Sequence, residues 1–286
     1  MSSFQVDATD IGHCVDPSTA VRFAFGKNWT RFIAVLDDER IAEAVKSLKS
    51  MLEVDDLEGR RFLDIGSGSG LFSLAARRLG ARVHSFDYDP LSVSCTAELK
   101  RRYFDGDSAW KVEQGSVLDP DYLASLGKFD IVYSWGVLHH TGAMWRALGN
   151  VVPLVDKGGK VFISIYNDLG DSSRRWATVK RTYNRVRAPF KWLMVGGIGA
   201  FFTTRTLIRL VRGQNPFRRF AEYKQSRGMS YFVDLIDWIG GYPFEVAKPE
   251  EVFDFFRAHE FVLQRLKTAR GHACNEFVFV RPGGSL

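Results

Sequence analysis

Short apolar runs alternating with amphipathic stretches set the rhythm of this chain. Phe62, Leu63 and Ile65 make a compact apolar run, followed by Gly66, Gly68 and Gly70 at every second position. Leu71, Leu74, Ala75 and Arg78 then recur at helical spacing, which predicts a helix over Leu71–Leu79. Further strands are predicted at Arg82–Phe86, Trp110–Gln114, Asp130–Trp135 and Lys160–Tyr166, with a helix over Leu91–Tyr103. Gly158 and Gly159 read as the turn into the fifth strand, and residues 21–55 read as helical. Strands alternating with helices at this rhythm imply a Rossmann-like α/β fold: a doubly wound, mostly parallel sheet. Ligands of such sheets bind at the carboxyl ends of the strands.

The glycine spacing narrows the ligand. A dinucleotide fingerprint, G-x-G-x-x-G, would need its third glycine where Leu71 stands. The pattern here is Asp64-x-Gly66-x-Gly68-x-Gly70, with Ser67 in the turn. A second acid, Asp87, closes the second strand with Tyr88 beside it. A carboxylate at that tip can accept from both hydroxyls of a ribose. Asp64 is expected to face the loop and hold an ammonium group. A ligand with an ammonium and a ribose but no pyrophosphate is S-adenosylmethionine, which becomes S-adenosylhomocysteine on giving up its methyl group.

Other strand ends supply the remaining candidates. Ser116 and the Val117 amide, after the third strand, are placed to read the adenine edge. His139 and His140 follow the fourth strand and are the candidate bases for an oxygen nucleophile that must lose a proton. Trp135, counted with the cofactor-binding residues, and Tyr166, counted with the substrate pocket, lie at adjacent strand ends as pocket walls. Asn28 and Trp29, in the aromatic run Phe23–Trp29, either cap the sheet edge or form a lid over the cofactor. A metal held by His140, Asn167 and Asp168 is not expected, because no clustered carboxylates accompany them. Asn167 is instead assigned to the substrate pocket, with Tyr166 and Trp29.

The runs Leu63–Gly70, Phe86-Asp87 and Phe129–Val132 resemble class I S-adenosylmethionine-dependent methyltransferases. Val137–His140 and Gly158–Val161 resemble the branch that contains ubiquinone-pathway O-methyltransferases. The resemblance implies a last helix over Pro249–His259, a sixth strand at Phe261–Leu263 and an antiparallel seventh at Asn275–Arg281. Four parts follow: a helical lid (1–55), the S-adenosylmethionine-binding core (56–169), a basic helical insertion between strands five and six (170–247), and the closing helix and strands (248–286). Many relatives carry an acid where this chain has Ser116, so adenine recognition is assigned to the backbone there.

Composition changes the picture in one place. Of the net +6, residues 172–227 carry fourteen Lys/Arg against Glu222 alone, which leaves the other residues near −7. Within this segment Trp192–Phe202 is uncharged but too short to span a bilayer. Flanked by Lys191, Arg205, Arg209 and Arg212, it reads as a cap over the site or as a contact with an anionic membrane surface. The second reading would bring a lipid-linked acceptor to the pocket. Nucleic acid is the less favoured partner. Three cysteines fit neither a disulfide framework nor a metal site, and Met1–Asp10 lacks a leader pattern, so a cytoplasmic protein is expected, peripheral on the membrane in the second reading. The function expected is O-methylation of a small-molecule, glycan or lipid-linked hydroxyl. A non-catalytic S-adenosylmethionine-binding module, a nicotinamide oxidoreductase and a nucleic-acid methyltransferase are the alternatives.

Overall fold

The structure, a computed structural model, describes residues 25–211 and 239–283. Its centre is a seven-stranded sheet of order β3-β2-β1-β4-β5-β7-β6. The strands are β1 (Arg61–Ile65), β2 (Arg82–Asp87), β3 (Trp110–Gln114), β4 (Phe129–Trp135), β5 (Val155–Tyr166), β6 (Val262–Lys267) and β7 (Cys274–Val280). Strands β1 to β5 pair in parallel, and β7 inserts antiparallel between β5 and β6. Among the described residues the helices are α1 (Gly26–Ala34), α2 (Asp38–Leu52), α3 (Leu71–Arg78), α4 (Pro90–Tyr103), α5 (Pro120–Leu126), α6 (Met144–Val151), α7 (Asp171–Arg185), α8 (Ala188–Val211) and α9 (Pro249–Ala258).

The central strands are apolar at successive positions because both faces are covered. Val132, Val161, Ile163 and Phe277 join the core under α6 and α9. Their neighbours Ile131, Tyr133, Phe162 and Val278 join the opposite core with Phe62, under α2 and α3. Parallel strands need helical crossovers, and the starts of those helices are legible. Asp89 accepts from the Leu91 amide at 3.0 Å and Asp119 from those of Asp121 and Tyr122 at 3.1 Å, each acid just ahead of a proline at the first helical position. Such a cap is worth about 1 kcal/mol.

Three boundaries differ from expectation, and the simplest is β6, which runs on to Lys267 rather than ending at Leu263. Residues 25–55 form two helices, broken where Asp37 caps α2 through the Arg40 amide at 2.9 Å, and residues 21–24 lie outside the described residues. Strand β5 starts at Val155, so Gly158 and Gly159 sit inside it at a register shift. A Cβ on Gly159 would come within 2.9 Å of the Asp130 and Asp156 carbonyls, so the backbones meet where no side chain fits.

Among the described residues no helix is long and apolar enough to cross a membrane. Arg212 lies outside the described residues, and the side chains of Phe201, Phe202, Arg205 and Arg209 are likewise outside the description.

Candidate active site

The turn after β1 is built from three glycines in the left-handed region, Gly66 (φ 75°), Gly68 (φ 55°) and Gly70 (φ 81°). Their spacing also leaves no room for a side chain. A Cβ on Gly66 would stand 2.5 Å from both Val137 methyls, and one on Gly70 2.9 Å from the Thr96 Cα. The Gly66 and Ser67 amides donate to the Phe86 carbonyl at 2.8 and 3.1 Å, tying the turn to the end of β2. Ser67 Oγ and Thr96 Oγ1 pair at 2.8 Å, and the Gly68 amide donates to Asp87 at 2.9 Å. The cradle therefore places Asp87 beside Gly68 at the carboxyl edge of the sheet.

Both acids are strained toward neutrality. Burial pushes Asp87 up to about 6 against the hydrogen bonds it accepts from the Gly68 and Asp89 amides. Asp64, 2 % exposed, is pushed up to about 7 by burial, with Ser73 opposing and Asp87 adding to the rise. Its carboxylate accepts from Ser73 Oγ at 2.5 Å, which ties one of its oxygens to α3. Trp110 Nε1 donates to Ser85 Oγ (2.9 Å), which pairs with Ser73 Oγ at 2.7 Å. Because an indole can only donate, that chain runs from Trp110 through the two serines toward Asp64.

The adenine-side candidates sit at the β2 and β3 ends. Tyr88 is 53 % exposed and its carbonyl accepts from Gln114. Ser116 Oγ accepts from the Leu118 amide at 3.2 Å, while Val117 is buried and its carbonyl accepts from Asn150.

The remaining candidates start at Trp135, half-buried against the core over α3. Gly136 donates to Ser164 Oγ at 2.8 Å, turning the chain into the short 3-10 turn Leu138–His140. The two histidines differ sharply. His139 is fully buried with its ring 4.2 Å from that of Tyr166, and neither ring nitrogen meets a hydrogen-bond partner among the described residues. The Ser164 backbone pulls weakly toward protonation, but burial and its neighbours His140 and Lys180 hold His139 well below the usual imidazole range. His140 is half-buried and meets the Pro243 carbonyl at 2.6 Å through Nδ1. A carbonyl only accepts, so Nδ1 carries the proton and Nε2 keeps its lone pair. Burial presses His140 down to about 3, with Lys180 adding to the fall.

Residues that the sequence does not assign to this turn hold it in place. Pro243 lies in the segment returning from the insertion. Two residues on, the Glu245 amide donates to the His139 carbonyl at 3.0 Å. The Glu245 carboxylate accepts from the Met144 amide at 3.0 and 3.1 Å, capping α6 from a distance. Lys180, on α7, is fully buried with Nζ 4.7 Å from the Phe244 ring centroid and 5.9 Å from that of Tyr166. Burial lowers it to about 7. Its signal was spacing: Ser173, Lys180 and Tyr183 make the buried stripe of an otherwise exposed, basic helix.

The predicted lid residues also come to the site. The Trp29 indole would lie 3.0 Å from a Cβ on Gly68, the Phe25 ring is 5.1 Å from His140, and Asn28 is buried. Asn167 accepts from Asn275 at 3.1 Å, so its carbonyl oxygen already serves the junction of β5 and β7. Among the described residues no three His, Cys, Asp or Glu side chains gather as a metal site.

This geometry can be compared with known proteins. A family model described as a methyltransferase domain matches residues 36–215, more than half of the chain. The chain belongs to that family. Among curated relatives, a tRNA U34 carboxymethyltransferase of Pseudomonas fluorescens is 27% identical over 192 residues, 64% of this chain and 58% of the relative. One of the same name from Methylococcus capsulatus is 34% identical over 119 residues, 41% of this chain and 36% of the relative. A ubiquinone biosynthesis O-methyltransferase of Xanthomonas oryzae is 33% identical over 113 residues, covering 39% of this chain and 45% of the relative. The chain thus spans well under two thirds of the length of these relatives. In fold it resembles a magnesium protoporphyrin IX methyltransferase of Synechocystis with bound S-adenosylhomocysteine (TM-score 0.53, 14% identity, 90% of this chain and 94% of that one). The expectation of S-adenosylmethionine as methyl donor accords with these findings, and the glycine cradle and Asp87 fit such a ligand.

Proposed function

We propose that this methyltransferase moves the methyl group of S-adenosylmethionine to an oxygen of a small-molecule, glycan or lipid-linked acceptor. The observation that carries the reading is the left-handed glycine cradle beside Asp87, with the free Nε2 lone pair of His140 at the end of β4. Asp87 holds the ribose hydroxyls, and Asp64 supplies negative charge for the ammonium. Backbone near Ser116 and Val117 borders the adenine. The acceptor hydroxyl donates to His140 Nε2 while an oxygen lone pair attacks the methyl in line. The carbon–sulfur bond breaks, its electron pair stays on sulfur, and the oxygen's proton passes to the imidazole. An alkylated, still protonated oxygen is a far stronger acid than the starting hydroxyl, so even a histidine pressed down to about 3 accepts that proton. Alignment and exclusion of water by Tyr166, Trp135 and the α1 helix supply most of what remains.

The test is calorimetry with S-adenosylmethionine and with a nicotinamide dinucleotide, followed by labelled methyl transfer to phenols, glycans, polyprenyl-linked sugars and tRNA. The reading expects donor binding and label on oxygen. A chain that binds no donor, or labels only nitrogen or carbon, would overturn it. The tRNA-modifying relatives make RNA the second acceptor class to include; label in tRNA alone would replace the small-molecule reading.

A further inference from the structure

Residues 172–211 contain nine Lys/Arg and no acid. On the inner side of α8, Val195 packs with Tyr183 and Ile239, supported by Met194 and Ile198, and Lys191 Nζ lies 5.3 Å from the Tyr183 ring centroid. The outer side is different. Phe190, Trp192 and Leu193 are 60 %, 64 % and 74 % exposed. Pro189, Gly196, Gly197, Ala200 and Thr204 are exposed on that same side, so from Pro189 to Thr204 its described side chains carry no charge. A surface helix of an ordinary globular protein turns charge, not Trp and Leu, toward water. Three neighbouring large apolar groups form a patch, unlike scattered single ones.

What surrounds the patch selects its partner. Arg187, three residues before Phe190 at the junction with α8, is exposed, as are Arg181 and Arg185 on the preceding α7. Projecting aromatic and aliphatic groups that follow directly on an acid-free, arginine-rich stretch match a bilayer interface, where the rings enter the headgroup layer and the cations meet lipid phosphates. A nucleic acid would use the arginines but leave Trp192 and Leu193 idle. Although α8 runs for 24 residues, it is not apolar enough to span a membrane.

We propose that the outward side of α8, centred on Phe190, Trp192 and Leu193, docks this protein on an anionic lipid surface. Docking does not depend on methyl transfer; only the corollary, an acceptor carried by the membrane, rests on the proposed function.

The test is co-flotation of the full chain with phosphatidylcholine vesicles, with and without phosphatidylglycerol, at low and high salt. Wild type should float with the anionic vesicles at low salt and be released by salt. Trp192→Glu combined with Leu193→Glu should lower the bound fraction about tenfold or more, and Arg185→Gln with Arg187→Gln should weaken binding mainly at low salt. Both pairs are exposed, so folding and calorimetric affinity for S-adenosylmethionine should stay at wild-type values. Absence of flotation at low salt, or flotation unaffected by the apolar substitutions, overturns the proposal. So does a dimer that those substitutions split, or tRNA binding that only the arginine substitutions abolish. Loss of donor binding in wild type would instead defeat the functional reading and leave the flotation result standing.

Discussion

Replacing Asp64 by Asn isolates the cost of keeping a carboxylate under the glycine turn. Burial lifts this carboxyl from the ordinary 3.8 to about 7. At ~1.4 kcal/mol per pH unit, the folded state prefers the protonated form by up to ~4 kcal/mol. The sign follows from proton counting. Between those two values the folded chain holds a proton that the unfolded chain has released. Stability from this group is therefore full below the lower value and is lost as pH rises through the upper one. Asp87, at about 6, works in the same direction. His139 and His140 work in the opposite one, because their folded values are lowered and their contribution is lost as pH falls below the usual imidazole value. The whole-protein profile is consequently flattened, and only the difference between variant and wild type exposes Asp64. Asparagine keeps an oxygen for Ser73, so denaturant unfolding should find Asp64→Asn gaining on wild type by ~2–4 kcal/mol between about pH 5 and pH 8. The same variant should bind S-adenosylmethionine more weakly. An ammonium near Asp64 draws its carboxyl back down, so donor binding near neutral pH should release up to about one proton in wild type and fewer in the variant, measured calorimetrically in buffers of different ionisation enthalpy. A stability difference that does not change with pH would refute the argument.

Three shorter tests follow from the same geometry. Asp87→Ala removes the carboxylate beside Gly68 and should cost about 1.5–3 kcal/mol of donor affinity, measured by calorimetry. His140→Ala should lower turnover roughly 10²–10⁴-fold with donor binding intact, and equal turnover in the variant would place the base elsewhere. Gly66→Ala combines a left-handed backbone with a Cβ driven onto Val137; a loss of ~2–4 kcal/mol in unfolding free energy is expected, and wild-type stability would count against the cradle as described.

The sheet was legible because its strands are buried on both faces, so Phe62–Ile65 and Val161–Ile165 stand out as apolar runs between turn residues. The glycine turn and Asp87 were legible for a related reason: a strand end, a positive-φ requirement and an acid are all local. Strand β5 was started too late because a glycine pair reads equally as a turn or as a bulge between close backbones. The histidine pair drew attention to the turn after β4, but nothing local separates His139, whose ring nitrogens meet no hydrogen-bond partner among the described residues, from His140, held through Nδ1. That distinction comes from Pro243 and Glu245, about a hundred residues away, and no spacing rule reaches so far. Lys180 was hidden by composition. Counted among fourteen cations it looked solvated, and only its place in the buried stripe of α7 tells it apart.

The α1 helix makes one rod of nine residues lie against both halves of the site. Trp29 rests on Gly68, while Phe25, just ahead of the helix, rests on His140. In the proposed reading, a donor lying on Gly68 would meet Trp29, and an acceptor lying on His140 would meet Phe25. Because both contacts belong to one stiff element, clearing one end lightens the work at the other. If clearing one end does ease the other, thermodynamic reciprocity makes donor and acceptor raise each other's affinity by the same factor. Without a direct contact between the two ligands, the enzyme would fill its two sites as a couple rather than as independent compartments.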